Sequence, residues 1–180
     1  MRKLILIAGM KRSGSTWMYN AVRLMLKDAG KDVYGSWIDD YDESNTAEFH
    51  VVKTHKWDKD LAEKADIVFT SRRDLIEVID SMKRFGIWKG NDDFVEMLID
   101  YQLWYRCADY SMEYESIGWE GAIYDIEAEL FDAFSIDCIN IQDVIDEIDR
   151  LQPPEHDNVN YYDTITLLHP NHITRDVKGN

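Results

Sequence analysis

Lys3-Leu4-Ile5-Leu6-Ile7-Ala8, running directly into Gly9-Met10-Lys11-Arg12-Ser13-Gly14-Ser15-Thr16-Trp17, is the stretch whose reading decides the fold. A continuous apolar run of this length that ends in a glycine-containing turn reads as a strand buried on both faces. From Thr16 to about Ala29 the apolar residues Trp17, Met18, Ala21, Val22, Leu24, Met25 and Leu26 recur with helical spacing, and Gly30 supplies a stop. Strand, tight turn and helix in immediate succession aim several backbone N–H groups and the positive end of a helix at one point. That is how chains hold phosphate.

The same alternation continues. Short strands are expected at about His50 to Thr54 and at Asp66 to Ser71, with a short helix over 58–65 between them. Asp74 to Phe85 reads as a helix capped by Asp74, on the rhythm of Leu75, Ile76, Val78, Ile79, Met82 and Phe85. Residues 92–115 make the longest helical candidate, with Tyr101, Trp104 and Tyr105 as a core stripe rather than a pocket wall. A fourth strand is expected at Ala122 to Ile126, then helices near 127–134 and 140–151, while Tyr34 to Asn45 and the tail from Asp157 read as loop. The class is therefore α/β: one domain over 1–180, three layers, a central parallel sheet flanked by helices, with ligands beyond the carboxyl ends of the strands.

Composition narrows the function. The chain has 180 residues and a formal charge of −15, with 45% hydrophobic residues, enough for one sizeable core. Nucleic acid is disfavoured as a partner, because its backbone demands a basic face. The charge is uneven: residues 1–90 sum to +2 and residues 91–180 to −17. Basic side chains are thus kept in the half that carries the phosphate-binding turn, which favours a small anionic ligand. The first apolar run is too short to span a bilayer and is no signal peptide, so no membrane is expected. Cys107 and Cys138 form neither a CxxC nor a disulfide framework, which suits the reducing cytoplasm. His156, His169 and His172 lack metal-ligand spacing, and no metal is expected.

Two further segments carry chemistry. Val51-Val52-Lys53-Thr54-His55-Lys56 closes the second predicted strand and sets a base beside a cation. Ser71-Arg72-Arg73-Asp74 runs into the helix that carries Ser81, placing Arg73 and Ser81 where both can reach one more phosphate. The first turn has the Gly-x-x-x-x-Gly skeleton of a P-loop, but Ser15 stands where a kinase would carry its lysine, while Arg12 can grip a phosphate from the other side.

In this order the three segments resemble the sulfotransferase family, with its Lys/Arg-Ser-Gly-Ser/Thr-Thr-Trp loop, Lys-Thr-His strand end and Arg-(x7)-Ser segment. The resemblance covers roughly residues 3–86 and implies a P-loop NTPase-like fold and 3′-phosphoadenosine 5′-phosphosulfate (PAPS) as co-substrate, released as 3′-phosphoadenosine 5′-phosphate (PAP). It further implies that Lys11, Arg12, Ser13, Gly14, Ser15 and Thr16 hold the 5′-phosphosulfate, that Trp17 stacks on adenine, and that Arg73 and Ser81 hold the 3′-phosphate. His55 corresponds to the family's catalytic base, with Lys53 and Arg12 neutralising charge on the departing phosphate. After the arginine the family usually carries a proline or small residue and then a basic one, where this chain reads Asp74-Leu75-Ile76-Glu77. The ending from His172 to Gly179, with Arg175 and Lys178, is faintly similar to the basic glycine loop that closes over the 3′-phosphate in relatives.

The expected reaction is metal-free, in-line sulfuryl transfer to a hydroxyl or amine of a small-molecule, glycan or peptide acceptor. A P-loop kinase is the rival enzyme, disfavoured by Ser15. A catalytically silent adenosine-bisphosphate-binding module is the other alternative, and the two readings part at His55.

Overall fold

The computed structural model describes residues 2–116, 120–138, 140–158 and 161–172. In chain order these build β1 (Lys3–Ile7), α1 (Ser15–Asp28), β2 (Val33–Trp37), β3 (Phe49–Lys53), α2 (Lys59–Lys64) and β4 (Ile67–Arg72). They continue with α3 (Leu75–Phe85), α4 (Asn91–Cys107), β5 (Tyr110–Glu113), α5 (Glu120–Phe134) and α6 (Ile141–Arg150). The strands form one five-stranded sheet in the order β2-β3-β1-β4-β5. Every pairing is parallel.

The apolar run of β1 is explained by its central place. Ile5 and Ile7 face a cluster built with Met18, Val22 and Met25 of α1, Ile126 and Leu130 of α5, and Val144 of α6. Leu4, Leu6 and Ala8 face the opposite cluster, with Val52, Val68, Leu61 of α2 and Trp104 of α4. Burying each such side chain contributes about 1.5–3 kcal/mol, so both residue sets of the strand are needed. The result is the three-layer α/β arrangement expected from the sequence, with helices on both faces of a parallel sheet.

Three expectations are corrected. Residues 33–37, expected largely as loop, form β2, an edge strand paired with β3 from Val33↔Phe49 to Trp37↔Lys53. Gly35 disguised it: a Cβ there would lie 2.3 Å from the Tyr19 hydroxyl of α1, so the strand takes glycine to let the helix approach. The long helix stops at Cys107 rather than continuing to 115, and residues 110–113 pair with β4 as the last strand. The strand expected at Ala122 to Ile126 is instead part of α5. Ala122, Ile123, Ile126 and Leu130 are buried while Tyr124 is exposed, which is helical periodicity hidden among β-formers. Of the expected core stripe, Tyr101 and Trp104 are buried, but Tyr105 is 43% exposed.

Candidate anion-binding site

The strand order reverses at β1, which has β3 on one side and β4 on the other, so the crevice beyond its carboxyl end is the topological switch point. The turn that follows β1 is tied to both neighbours. Ala8 N–H donates to Phe69 O at 2.8 Å, Met10 N–H to Ser71 O at 3.3 Å, and Thr54 N–H donates to Ile7 O at 3.0 Å. All three segments that the sequence singled out therefore meet at one place.

Within the turn, Arg12 (φ 64°) and Gly14 (φ 91°) are both left-handed. A non-glycine residue held there costs on the order of 1 kcal/mol, a strain that surrounding contacts must over-determine. Those contacts are present: Ser13 Oγ donates to Met10 O at 2.5 Å and lies 2.8 Å from Ser71 Oγ. Ser13 is fully buried and its hydroxyl braces the turn. Gly9 is held to glycine by crowding, since a Cβ would come 2.2 Å from Ser71 Oγ. Helix α1 has no side-chain cap at Gly14, so its first N–H groups, from Ser15 to Trp17, are left to a ligand or solvent. Helix α3 is different: Asp74 caps it, accepting from the N–H groups of Ile76 (2.9 Å) and Glu77 (3.2 Å), as the sequence predicted.

Lys53, at the end of β3, is only 6% exposed. Its Nζ donates to Thr16 Oγ1 at 2.5 Å, which places the ammonium against the uncapped start of α1. Burial, and then the nearby charge of Arg12, pushes the Lys53 pKa down to about 7. Arg12 Nε donates to Ser81 Oγ at 3.0 Å, and the guanidinium lies 4.2 Å from the centroid of the Phe85 ring. Burial lowers its pKa to about 10, with the charges of Arg73 and Arg84 acting in the same direction and Tyr114 opposing them. Among the described residues the ion pairs join other partners, and neither Lys53 nor Arg12 has a carboxylate. Buried cations without counter-charge are costly, and an anion removes that cost.

His55 follows Lys53 by two residues. Its Nδ1 lies 2.6 Å from Gly9 O, and since a carbonyl only accepts, Nδ1 carries the proton and Nε2 a lone pair. Burial, followed by the Lys53 charge, holds the His55 pKa well below the ordinary histidine value, with the Gly9 bond pulling the other way. The Trp37 ring stands 5.3 Å from the imidazole and 5.7 Å from Lys53 Nζ.

Arg73 and Ser81 lie next to the Arg12 turn. Besides the Arg12–Ser81 bond, Arg73 Nη1 donates to Arg12 O at 3.3 Å. Arg73 also has protein partners: Nε donates to Glu77 Oε2 at 2.8 Å, and its guanidinium stacks 3.7 Å from the centroid of Tyr114. Because Asp74 already fills the start of α3, a phosphate there would be held by these side chains rather than by helix amides. Lys11 is half-buried on the same turn, and Thr16 and Ser15 are buried. Trp17 is partly buried and packs against the main core cluster.

Sequence reading missed Trp37, because its strand was missed, and it took residues 163–171 for tail, naming only His172 as the start of a ligand-closing ending; the segment returns to the site and brings His169 and His172 onto Phe85. Arg175, Lys178 and Gly179 lie outside the described residues. Among the described residues no group of His, Cys, Asp or Glu is arranged to hold a metal. None of their helices is long and apolar enough to cross a membrane. No protein-family model matches the chain, and no curated protein matches it.

Proposed function

We propose that this site binds PAPS and transfers its sulfuryl group to an acceptor hydroxyl or amine. The observation that carries the reading is the buried Lys53 ammonium, without a carboxylate among the described residues, set against the uncapped start of α1. The donor set suits a nucleotide with phosphates at two ends: Lys53, Arg12 and the amides of Ser15 to Trp17 for one, Arg73 and Ser81 for the other. PAPS supplies an activated sulfuryl group whose leaving phosphate needs only fixed cations. Nε2 of His55 takes the acceptor proton, and Lys53 and Arg12 hold the charge left on the departing phosphate. A bound anion offsets the Lys53 and Arg12 charges that add to burial in depressing His55, and so raises its basicity. The free thiols of Cys107 and Cys138 support a reducing compartment, the cytoplasm.

The Lys53 pKa gives a test with a definite sign. In the ligand-free protein it is about 7 rather than 10.5, and a bound anion favours the charged form and raises it. Affinity for PAP should therefore fall as pH rises above about 7, approaching tenfold per unit, because each binding event must then take up a proton. The phosphates are fully ionised there and do not contribute. Isothermal titration in buffers of different ionisation enthalpy measures both quantities. Affinity independent of pH from about 7 to 9, with no proton uptake, would remove Lys53 from the binding site. Sulfate transfer from PAPS to a panel of hydroxyl and amine acceptors tests the chemistry, and tight PAP binding without any transfer would leave a silent binding module.

Glu77 competes for Arg73. Glu77→Gln should tighten PAP binding about threefold to fivefold while leaving adenosine 5′-phosphate unchanged, since only the 3′-phosphate meets that carboxylate. Equal changes for the two nucleotides would place the 3′-phosphate elsewhere.

A further inference from the structure

The segment from Asp163 to His172 is fastened to α1 and delivers a second histidine to the site. Asp163 Oδ1 accepts from the N–H groups of Ile165 (3.0 Å) and Thr166 (2.7 Å) and from the Thr166 hydroxyl (2.9 Å). The Tyr19 hydroxyl donates to Ile165 O at 3.1 Å, and Asn20 Nδ2 to Thr166 O at 2.8 Å. Leu167 is 3% exposed and belongs to the main core cluster. These ties fix where the chain goes next. His169 and His172 stand 5.7 and 5.8 Å from the centroid of Phe85, the ring over which Arg12 lies.

The tautomer of His172 follows from its bond. Nδ1 receives the backbone N–H of His169 at 2.7 Å, and an N–H only donates, so Nδ1 is a lone pair and the single proton of a neutral ring sits on Nε2. Burial, then the charges of Lys53, Arg12 and His169, push its pKa down to about 3. The ring is therefore neutral, and it stands against the same Phe85 ring as the Arg12 guanidinium. Among the described residues the hydrogen bond that its ring makes is the one at Nδ1, which leaves Nε2–H for a ligand. His55 is arranged the opposite way, with its proton on Nδ1 and its lone pair on Nε2. The two histidines thus offer a ligand beside Lys53 and Arg12 one acceptor and one donor.

We propose that His172 is a further binding residue of this site, its Nε2–H donating a hydrogen bond to the anion held by Lys53 and Arg12. This rests on reading the turn as an anion site. A neutral donor is what the site can take, because another cation would add like charge to two that already lack a carboxylate. During transfer the acceptor oxygen bonds to sulfur, the bond from sulfur to the bridging oxygen breaks, and the electron pair leaves with the 5′-phosphate. The acceptor proton goes to His55, and His172 gives up none.

Two substitutions separate the donor from the structural bond. His172→Asn places an amide oxygen where Nδ1 accepts from His169 and removes the distal donor, whereas His172→Gln keeps a donor near the Nε2 position and loses the near acceptor. Titration calorimetry with PAP and with inorganic phosphate should show about tenfold weaker binding for His172→Asn, with an unchanged ligand-free melting temperature, and His172→Gln within about threefold of wild type. The opposite ranking, or equal losses, overturns the proposal. If wild type binds inorganic phosphate but not PAP and the same ranking holds, the proposal stands and the nucleotide reading falls. If wild type binds neither, both fall. Two-dimensional 15N spectra of the ligand-free protein add a direct readout: a His172 ring protonated on Nδ1 contradicts the proposal.

Discussion

Lys53→Met should make the ligand-free protein more stable and at the same time nearly abolish nucleotide binding. Removing a buried cation that has no counter-charge among the described residues should stabilise the fold by roughly 1–4 kcal/mol at pH 7, and removing the ligand's main charge partner should weaken PAP about a hundredfold. The sign of the pH dependence follows from a pKa of about 7 in the folded chain against the ordinary 10.5. Below pH 7 both folded and unfolded chains carry the proton, and the folded state bears the full cost. Between about 7 and 10.5 the unfolded chain binds more protons, so wild-type stability rises with pH, and the advantage of the variant shrinks through that window. Thermal melts at about pH 6 and pH 9, read beside calorimetry, check both halves. A variant less stable than wild type at pH 6 would mean that the ammonium is already compensated, and the case for an anion there would lose its basis.

His55→Ala should separate binding from chemistry. The imidazole is fixed by its bond to Gly9 with Nε2 as the lone pair, so its loss removes a proton acceptor and leaves the cradle of Lys53, Arg12 and the α1 amides intact. Turnover should fall about 10²–10⁴-fold, the usual contribution of a general base, while PAP affinity stays within about threefold. Single-turnover sulfate transfer and calorimetry read the two quantities. Wild-type turnover in the variant would remove His55 from the mechanism, whereas an affinity loss equal to the rate loss would make it a binding residue.

How much of this was legible in the sequence depended on whether a residue's role is local. The run from Leu4 to Ala8 announced a strand buried on both faces because both residue sets along it are apolar, and the stripe from Trp17 to Leu26 announced the helix that covers one of those faces. Asp74 was legible as a cap, because capping uses the next three residues only. Apart from Ala122 to Ile126, where helical periodicity lay hidden among β-formers, the failures involve partners distant in sequence. Gly35 looked like a loop residue until Tyr19 is seen pressing against it, and with β2 went Trp37 beside His55. Tyr110 to Glu113 was absorbed into the preceding helix because a four-residue strand carries too little periodicity of its own, and its pairing partner lies some forty residues earlier. The segment to His172 read as tail because its attachments are single hydrogen bonds to Tyr19 and Asn20, separated from it by 146 positions. For the site, spacing alone placed Lys53, His55, Arg12 and Arg73 at strand ends and Ser81 on the helix that follows Arg73. That Arg12 bonds to Ser81 required the packing of α3 against the turn, whereas the Arg73–Glu77 pair is four residues apart and legible as a helix-start ion pair.

The adjacency of those two cation groups is the point on which the functional reading turns, and a crystal structure of the protein with PAP tests it most directly. The account predicts the 5′-phosphate on the amides of Ser15 to Trp17 with Lys53 and Arg12, the 3′-phosphate on Arg73 and Ser81 with Glu77 displaced, and the His55 ring still bonded to Gly9. A nucleotide bound with neither phosphate at the turn after β1, or no nucleotide at millimolar concentration, would contradict it.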